Sequence, residues 1–242
     1  MSKIIAIWGS PNSGKTTLAV KIATELDNRK VGSILVLHTD NTIPVMPVLF
    51  PFNKDLHSIG VALSAVDITQ FEILQAVTTP KGRDNLGFLG YVWGDNQFSY
   101  PAIDKRKASD CLSVLKSIAD YVIVDCSSLY DNVLSHASIA DADIVIKLAT
   151  PDLNSMTFFQ SQTPLYIDCD VAIAEAAQGL TLMSRDTYQP VEDCKQYFSK
   201  TSFVCPYCTE IKDQWATGTL INHKNNKAYN QMVNKLADDL LF

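Results

Sequence analysis

The sequence predicts one α/β domain over residues 1–242, a doubly wound and mostly parallel sheet flanked by helices. Three observations predict this fold class. Short apolar runs that end in polar residues alternate with stretches of helical periodicity. A hydrophobic content of 47% supports a well-buried core in a chain of 242 residues. The first apolar run, residues 4–8, leads into a glycine-containing loop and then into a helical pattern.

The loop after this first strand matches the pattern G-x-x-x-x-G-K-[ST] from Gly9 to Thr16. Its two glycines let successive backbone N–H groups converge on phosphate oxygens at a helix N-terminus. Lys15 is expected to reach the β- and γ-phosphates, and the Thr16 hydroxyl to bind Mg²⁺. The predicted nucleotide contacts are Gly9, Ser10, Pro11, Asn12, Ser13, Gly14, Lys15, Thr16 and Thr17.

Asp40 follows the second predicted strand, residues 33–37. Ligands of a doubly wound sheet bind at the carboxyl ends of its strands, so Asp40 is a candidate site residue. Asp is also a frequent turn or cap residue, and position alone leaves both interpretations open.

Three prolines, Pro44, Pro47 and Pro51, argue against a regular helix or central strand in residues 42–60. The apolar residues between them predict a packed loop beside the nucleotide.

The middle of the chain predicts a short helix at 68–77, a third strand at 86–93 and a helix from Pro101 to Ile118. Lys105-Arg106-Lys107 lies early in this last helix. Such a cluster could bind a phosphate-bearing partner, although most basic clusters are solvated surface.

Asp125 ends a run of apolar residues, 121–124, that predicts a buried strand. A carboxylate at this edge is the arrangement that holds Mg²⁺ in P-loop proteins, commonly through water. The alternative is an ordinary capping Asp. Position downstream of a complete phosphate loop favours the metal role. Further strands are predicted at 141–148, 179–183 and 202–204.

Composition limits the function classes. A net charge of -6 gives no global basic field for nucleic acid, although a local patch remains possible and DNA binding is not indicated. The sequence lacks a signal peptide and any apolar run of ~18 residues, which predicts a cytosolic protein without membrane insertion. Six scattered cysteines predict reduced thiols.

The order of these elements resembles the MinD/ParA family of P-loop ATPases, including its TadZ and CpaE-like members. The residues that carry the resemblance are Asp40, Asp125 with the small residues after it, the stretch at 140–152, and an ending similar to the family's in Phe203-Val204-Cys205-Pro206-Tyr207, Gly218 and the terminal helix. The resemblance implies ATP or ADP and Mg²⁺ as cofactors. It also implies an ATP-dependent homodimer that acts with a protein partner as a positioning or assembly switch.

The resemblance assigns roles to individual residues. Lys15, Asp40 and Asp125 match catalytic positions, and Thr16, Asp40 and Asp125 match metal-binding positions. Pro206 matches the segment beside the nucleotide base. We identified no N-K-x-D base-reading motif typical of GTPases, so ATP over GTP rests on the family alone.

Two positions depart from the family pattern. Ser10 stands where the family has a lysine that reaches across the dimer, a kind of cation worth about 10³–10⁵ in rate in related NTPases. Slow hydrolysis is therefore expected, unless Lys147 or a loop residue substitutes. His38 stands where MinD-type members often have a second aspartate, which also argues against standard catalysis.

Two other function classes remain open. A small-molecule kinase or ligase would use the same loop, with residues 42–60 and Lys105-Arg106-Lys107 as its acceptor site. A scaffold that holds nucleotide without turnover would fit Ser10 and His38. Cys205 and Cys208 form a C-x-x-C that could be a zinc half-site or redox pair, but no second C-x-x-C exists.

The last predicted helix, from Tyr229 to Leu241, carries an apolar stripe at helical spacing. A membrane anchor would need basic residues around that face, whereas Asp238 and Asp239 lie at its end. We expect this helix to dock on the domain.

Overall fold

The computed structural model describes residues 2–166, 169–198, 201–222 and 226–241. Seven strands form one sheet in the order β3-β2-β4-β1-β5-β6-β7, and every neighbouring pair is parallel. The strands are β1 (Lys3–Gly9), β2 (Ile34–His38), β3 (Leu86–Leu89), β4 (Tyr121–Asp125), β5 (Ile144–Ala149), β6 (Ala177–Thr181) and β7 (Thr201–Cys205). The predicted fold class is confirmed.

Helices connect the strands and cover both faces of the sheet, which parallel pairing requires. They are α1 (Lys15–Asn28), α2 (Met46–Leu49), α3 (Ile59–Ser64), α4 (Gln70–Ala76), α5 (Lys105–Ile118), α6 (Val133–Ala140), α7 (Leu153–Gln162), α8 (Asp170–Glu175), α9 (Val191–Tyr197), α10 (Thr209–Thr217) and α11 (Lys227–Leu241), with a 3₁₀ turn at Thr163–Leu165.

Alternation along the strands divides the core into two layers. Ile5 and Ile7 of β1 pack with α1, α2, α10 and α11. Ile4, Ala6 and Trp8 point to the opposite face, where they pack with residues of α3 to α9. Every one of these five side chains is fully buried, as expected of a central strand in a parallel sheet.

Strand β1 lies between β4 and β5 and brings the carboxyl ends of several strands together. In its register with β4, Ile7 is opposite Asp125, and in the β2 register His38 is opposite the same Asp125. Gly9, at the end of β1, is opposite Leu148 of β5. The residues at these strand ends therefore share one edge of the sheet.

The proline-rich segment departs from the prediction. Helix α2 contains Pro47, although a helix through this residue was not expected. Pro47 lies in the first turn, where a missing N–H costs no intrahelical hydrogen bond. Helix α3 begins at Ile59, with the Ser58 side chain accepting from Gly60 N, so the predicted loop also ends earlier.

Two other boundaries differ. Helix α5 begins at Lys105 rather than at Pro101, because Asp104 is extended and its side chain accepts a hydrogen bond from Lys107 N. Strand β3 covers Leu86–Leu89 and stops short of the predicted residue 93. The predicted helix at 68–77 is confirmed as α4, which begins with a capping box of Thr69 and Glu72.

The terminal helix α11 packs against α1 and β7, as expected for a docked helix. Its buried face comprises Tyr229, Val233, Leu236, Ala237 and Leu240. In the ranges that the structure describes, none of the helices has the length and apolar character that a membrane-spanning segment requires.

The docking of α11 predicts a large cost for truncating Leu236. Because Leu236 is buried, Leu236→Ala should lower the free energy of unfolding by about 2–5 kcal/mol. The neighbouring Lys235 is exposed, so Lys235→Ala should change it by less than about 0.5 kcal/mol. Urea denaturation of both variants measures the difference, and equal stabilities would show that the helix does not dock.

Candidate functional site

The phosphate loop has the backbone that its sequence predicts. A Cβ on Gly9 would overlap the carbonyl oxygen of Leu148, so only glycine fits between β1 and β5. Asn12 and Gly14 have φ angles of 59° and 86°, and helix α1 begins at once, with Leu18 N bonded to Gly14 O. Left-handed residues between right-handed ones turn backbone N–H groups toward one point, which suits a phosphate.

Lys15 lies across the mouth of this loop. Its ammonium donates to Ser10 O at 2.9 Å, to Gly9 O at 3.3 Å and to Ser128 Oγ at 2.7 Å. Burial lowers the pKa of Lys15, and the nearby charge of Asp125 opposes this shift. The Ser128 hydroxyl in turn donates to Gly9 O at 2.8 Å. This one serine therefore joins the loop after β4 to both the lysine and the backbone of the phosphate loop.

Thr16 and Asp125 meet at the carboxyl edge, as predicted. The Thr16 hydroxyl donates to Asp125 Oδ2 at 2.7 Å, and the Asp125 residue is 5% exposed. A hydroxyl and a carboxylate are the hard oxygen ligands that Mg²⁺ prefers, so the donor set fits the ion that the sequence predicts.

Asp40 has a different environment. Its Oδ1 accepts hydrogen bonds from Thr42 N at 2.8 Å and Ile43 N at 3.0 Å, which is the geometry of an Asx turn. The structure does not bring Asp40 into hydrogen-bond contact with Thr16 or Asp125. Its negative charge is close enough to act on Lys15, since it is one of the charges that oppose the lowering of the lysine pKa.

Ser10, where the sequence resemblance leads us to expect a lysine, is directed into the protein. It is 2% exposed, and its Oγ lies 2.7 Å from Ser155 Oγ on α7. The same Ser155 oxygen accepts from Thr150 N at 2.9 Å and lies 2.7 Å from Thr150 Oγ1. Three hydroxyl groups thus fasten the phosphate loop to the loop after β5.

Lys147 contacts an aromatic ring on α7. Its Nζ lies 5.5 Å from the ring centroid of Phe159 on α7, a cation–π contact on the sheet face opposite α1. Burial lowers the pKa of the lysine. The expectation that Lys147 substitutes for the family lysine is therefore not supported by its position.

A buried polar network ties the loops after β2 and β4 to α6. Thr39 Oγ1 accepts from Ser127 N at 2.9 Å and lies 2.6 Å from Ser135 Oγ. Ser127 N also donates to Ser135 Oγ at 2.8 Å, and the Asn132 amide donates to Thr39 O at 2.8 Å. Because each polar group has a partner in a dry region, these two loops are held in one arrangement.

Pro206 follows β7 at the same edge of the sheet, next to Tyr207. The Tyr207 ring makes two cation–π contacts, with Lys212 Nζ 4.8 Å and Arg185 Cζ 5.6 Å from its centroid. A proline, an aromatic ring and two basic groups therefore lie together after β7.

Cys205 and Cys208 are both buried free thiols. Burial raises the pKa of Cys205 to about 12, which keeps it protonated and unreactive. The described part of the chain also holds no group of three or more His, Cys, Asp or Glu side chains able to bind a metal. Neither zinc nor redox chemistry has support at this C-x-x-C.

The acceptor site of a kinase would use Lys105-Arg106-Lys107 and residues 42–60. The Lys107 ammonium instead donates a hydrogen bond to Ala65 O, in the segment before α4. The basic triplet forms the first turn of α5.

Exposed apolar side chains collect near the site. Ile43, Leu129 and Tyr130 lie on the loops after β2 and β4, and Leu153 is the first residue of α7 after β5. The carboxyl ends of these strands share the edge of the phosphate loop. The exposed fractions of these side chains are 70% for Ile43, 47% for Leu129, 43% for Tyr130 and 77% for Leu153. Grouped apolar residues of this kind often mark an interaction surface.

Sequence reasoning missed Ser128, Ser155, Thr39 and Ser135. Ser128 had a signal, because it follows Asp125 by three residues in a loop of small side chains. The other three hydroxyls have no pattern of their own, since their contacts join segments up to 145 residues apart.

No protein-family model and no curated protein sequence matches the chain. Solved structures do match over nearly the whole length. The ParA family ATPase from Chlorobium tepidum is 14% identical with a TM-score of 0.76, covering 99% of both chains. MinD from Pyrococcus horikoshii, complexed with Mg-ADP, is 17% identical with a TM-score of 0.72, covering 99% of this chain and 96% of that one. MinD in the MinC:MinD cell division complex of Aquifex aeolicus is 18% identical with a TM-score of 0.74, with coverages of 99% and 96%.

At 14–18% identity, this likeness concerns the fold. The sheet order and the loop after β1 agree with it independently. The chain therefore has the fold of the MinD and ParA-type P-loop ATPases, as its sequence resemblance predicted.

Proposed function

We propose that this protein binds ATP with Mg²⁺, hydrolyses it slowly, and uses it to control a homodimer that positions or assembles a cellular machine. Residues 1–242 act as one nucleotide-binding unit. The observation that carries the proposal is the contact of Ser128 with both Lys15 and Gly9 O, which links the phosphate loop to a loop with exposed apolar residues.

The nucleotide site uses the residues predicted from the sequence. Residues 9–17 surround the phosphates, Lys15 contacts the β- and γ-phosphates, and Pro206 lies beside the base. Thr16 and Asp125 hold Mg²⁺, which neutralises phosphate charge when bound. The Thr16–Asp125 contact and the Mg-ADP bound to the similar Pyrococcus horikoshii protein support this assignment.

The link between nucleotide and interface runs through neighbouring residues. Leu129 and Tyr130 directly follow Ser128, so a backbone shift that carries the Ser128 hydroxyl toward a bound phosphate would also move these two exposed side chains. On the other side, Ile43 follows the Asx turn of Asp40. Both loops meet in the network around Thr39, which makes them move together rather than separately.

A homodimer is the partner that suits this edge. Exposed apolar groups follow β2, β4 and β5 at the edge of the sheet that holds the phosphate loop, and an isologous contact would bury the same patch of both copies. A further protein partner is supported by the Aquifex aeolicus MinC:MinD complex. DNA binding has less support, because the net charge is -6.

Slow turnover follows from the position of Ser10. Its buried hydroxyl is fastened to Ser155 and offers no positive charge to a partner copy. Without such a cation, the charge that develops on a transferred phosphoryl group has Lys15 and the backbone for stabilisation. The catalytic role of Asp40, which the sequence resemblance suggested, would fall to Oδ2, since Oδ1 accepts both hydrogen bonds of the Asx turn.

The first prediction of this proposal concerns the mass of the protein in solution. Light scattering should give a monomer with ADP and a dimer with ATP and Mg²⁺, and Lys15→Ala should abolish the difference. Loss of its charge-assisted hydrogen bonds should weaken ATP binding by about 10- to 100-fold. Phosphate release measured on the same samples should be slow in both states.

Two results would contradict the proposal. Failure to bind ATP and Mg²⁺ at millimolar concentration would exclude the nucleotide site. Binding without any change of mass would exclude the dimer switch and favour a nucleotide-holding scaffold.

The second prediction concerns the apolar edge. Leu153→Asp should weaken the ATP-dependent dimer by about 10-fold or more, because an isologous contact would bury a carboxylate of each copy in an apolar patch. Position 153 is in the first turn of α7, where Asp is well tolerated, so the fold should be unaffected.

Phe71→Asp is the matched control for this substitution. Phe71 is 66% exposed, and the neighbouring Gln70 bonds Ser117 at the far end of α5, close to the amino edge of the sheet. This variant should dimerise like the parent protein, and equal losses in both variants would place the interface elsewhere.

A further inference from the structure

The buried imidazole of His38 contacts the metal-site carboxylate. His38 Nδ1 lies 2.8 Å from Asp125 Oδ2, the same oxygen that accepts the Thr16 hydroxyl at 2.7 Å. His38 and Asp125 are also register partners in neighbouring parallel strands, so the backbone fixes the distance between them. We propose that His38 is a positioning residue, which orients the Asp125 carboxylate for Mg²⁺ by donating from Nδ1.

The chemistry of the pair decides which nitrogen acts. An ionised carboxylate only accepts hydrogen bonds, so the Nδ1 atom that faces it must carry a proton. The other nitrogen, Nε2, is buried and has no hydrogen-bond partner among the described residues. The contribution of His38 to the site therefore comes through Nδ1 alone.

The surroundings hold the ring in this orientation. His38 is 1% exposed, and its ring is stacked on Phe88 with centroids 6.2 Å apart and planes 6° apart. Gly90 leaves room for the histidine, since a Cβ there would lie 3.1 Å from His38 Cβ. Phe88 packs in turn on Phe50, just after α2. A side chain so confined can fix its partner's orientation.

Two hydrogen-bond donors on one oxygen fix the orientation of the Asp125 carboxylate. Thr16 and His38 both bond Oδ2, so rotation of the carboxyl group would break two hydrogen bonds at once. Partners that orient a metal ligand typically change metal affinity by about 10- to 100-fold when they are removed. This inference rests on the proposed nucleotide function, because the metal is the one that accompanies ATP.

A matched pair of substitutions separates the two nitrogens. The amide nitrogen of His38→Asn can occupy the place of Nδ1, whereas that of His38→Gln approximates Nε2. We expect His38→Asn to keep the Mg²⁺ dependence of the parent protein. We expect His38→Gln to require about 10- to 100-fold more Mg²⁺ for the same increase in nucleotide affinity.

The measurement is ADP affinity by calorimetry across a series of Mg²⁺ concentrations. ADP binding in EDTA and thermal unfolding without nucleotide are the controls, and a merely structural role would move both. The parent protein in the same series tests the nucleotide proposal separately. If the parent protein and both variants depend equally on Mg²⁺, the role of His38 is overturned while the nucleotide site remains intact. The role is also overturned if both variants need the same additional Mg²⁺ and their stability is unchanged.

If the variants do not fold, a measurement on the parent protein tests whether His38 donates from Nδ1. Nitrogen-15 NMR of the imidazole, without nucleotide or metal, reports which ring nitrogen carries a proton. A protonated Nδ1 supports the proposal. An unprotonated Nδ1 would overturn it, because the nitrogen beside Asp125 could then donate nothing.

Discussion

The parallel pairing of β1 with both β4 and β5 is the constraint on which the site depends. It directs Gly9 against the Leu148 carbonyl, so the chain must leave the sheet as a tight loop rather than as a continuing strand. It also fixes Asp125 beside β1 and His38 beside Asp125 through main-chain hydrogen bonds. The polar groups that meet at this edge are therefore positioned by backbone geometry before any of their side chains interact.

Most of the side-chain hydrogen bonds described between these loops involve hydroxyl groups. Ser10, Ser128 and Thr39 each contact a different strand-end loop, and their partners are also mostly small polar groups. Small hydroxyls satisfy one another without large charges, so burying them costs little desolvation compared with an ion pair. Rearranging the edge would exchange one set of weak contacts for another, which is compatible with the nucleotide switch proposed above.

Much of the fold could be predicted from the sequence because its signals were local. The phosphate loop, the strand before Asp125 and the apolar stripe of α11 each depend on residues close together in the chain. Helices α6 and α7 were not anticipated, although Asn132 and Asp152 cap them in the structure. Helix α6 is buried along most of its length and lacks a polar face, and α7 buries only Ser155 and Phe159, so neither shows a clear apolar stripe at helical spacing.

The candidate site could be predicted in part. Thr16 and Asp125 meet as expected, whereas Asp40 caps its own turn. Lys147 could not be placed, since strand alternation and register decide its face.

The hydroxyl contact between Ser10 and Ser155 constrains how position 10 could evolve. A lysine introduced at position 10 would have to leave a fully buried place, and Ser155 would lose one of its bonded partners. The effects on stability of substituting Ser10 and Ser155 should therefore not be additive. A lineage could reach lysine at this position more easily after Ser155 had first been replaced.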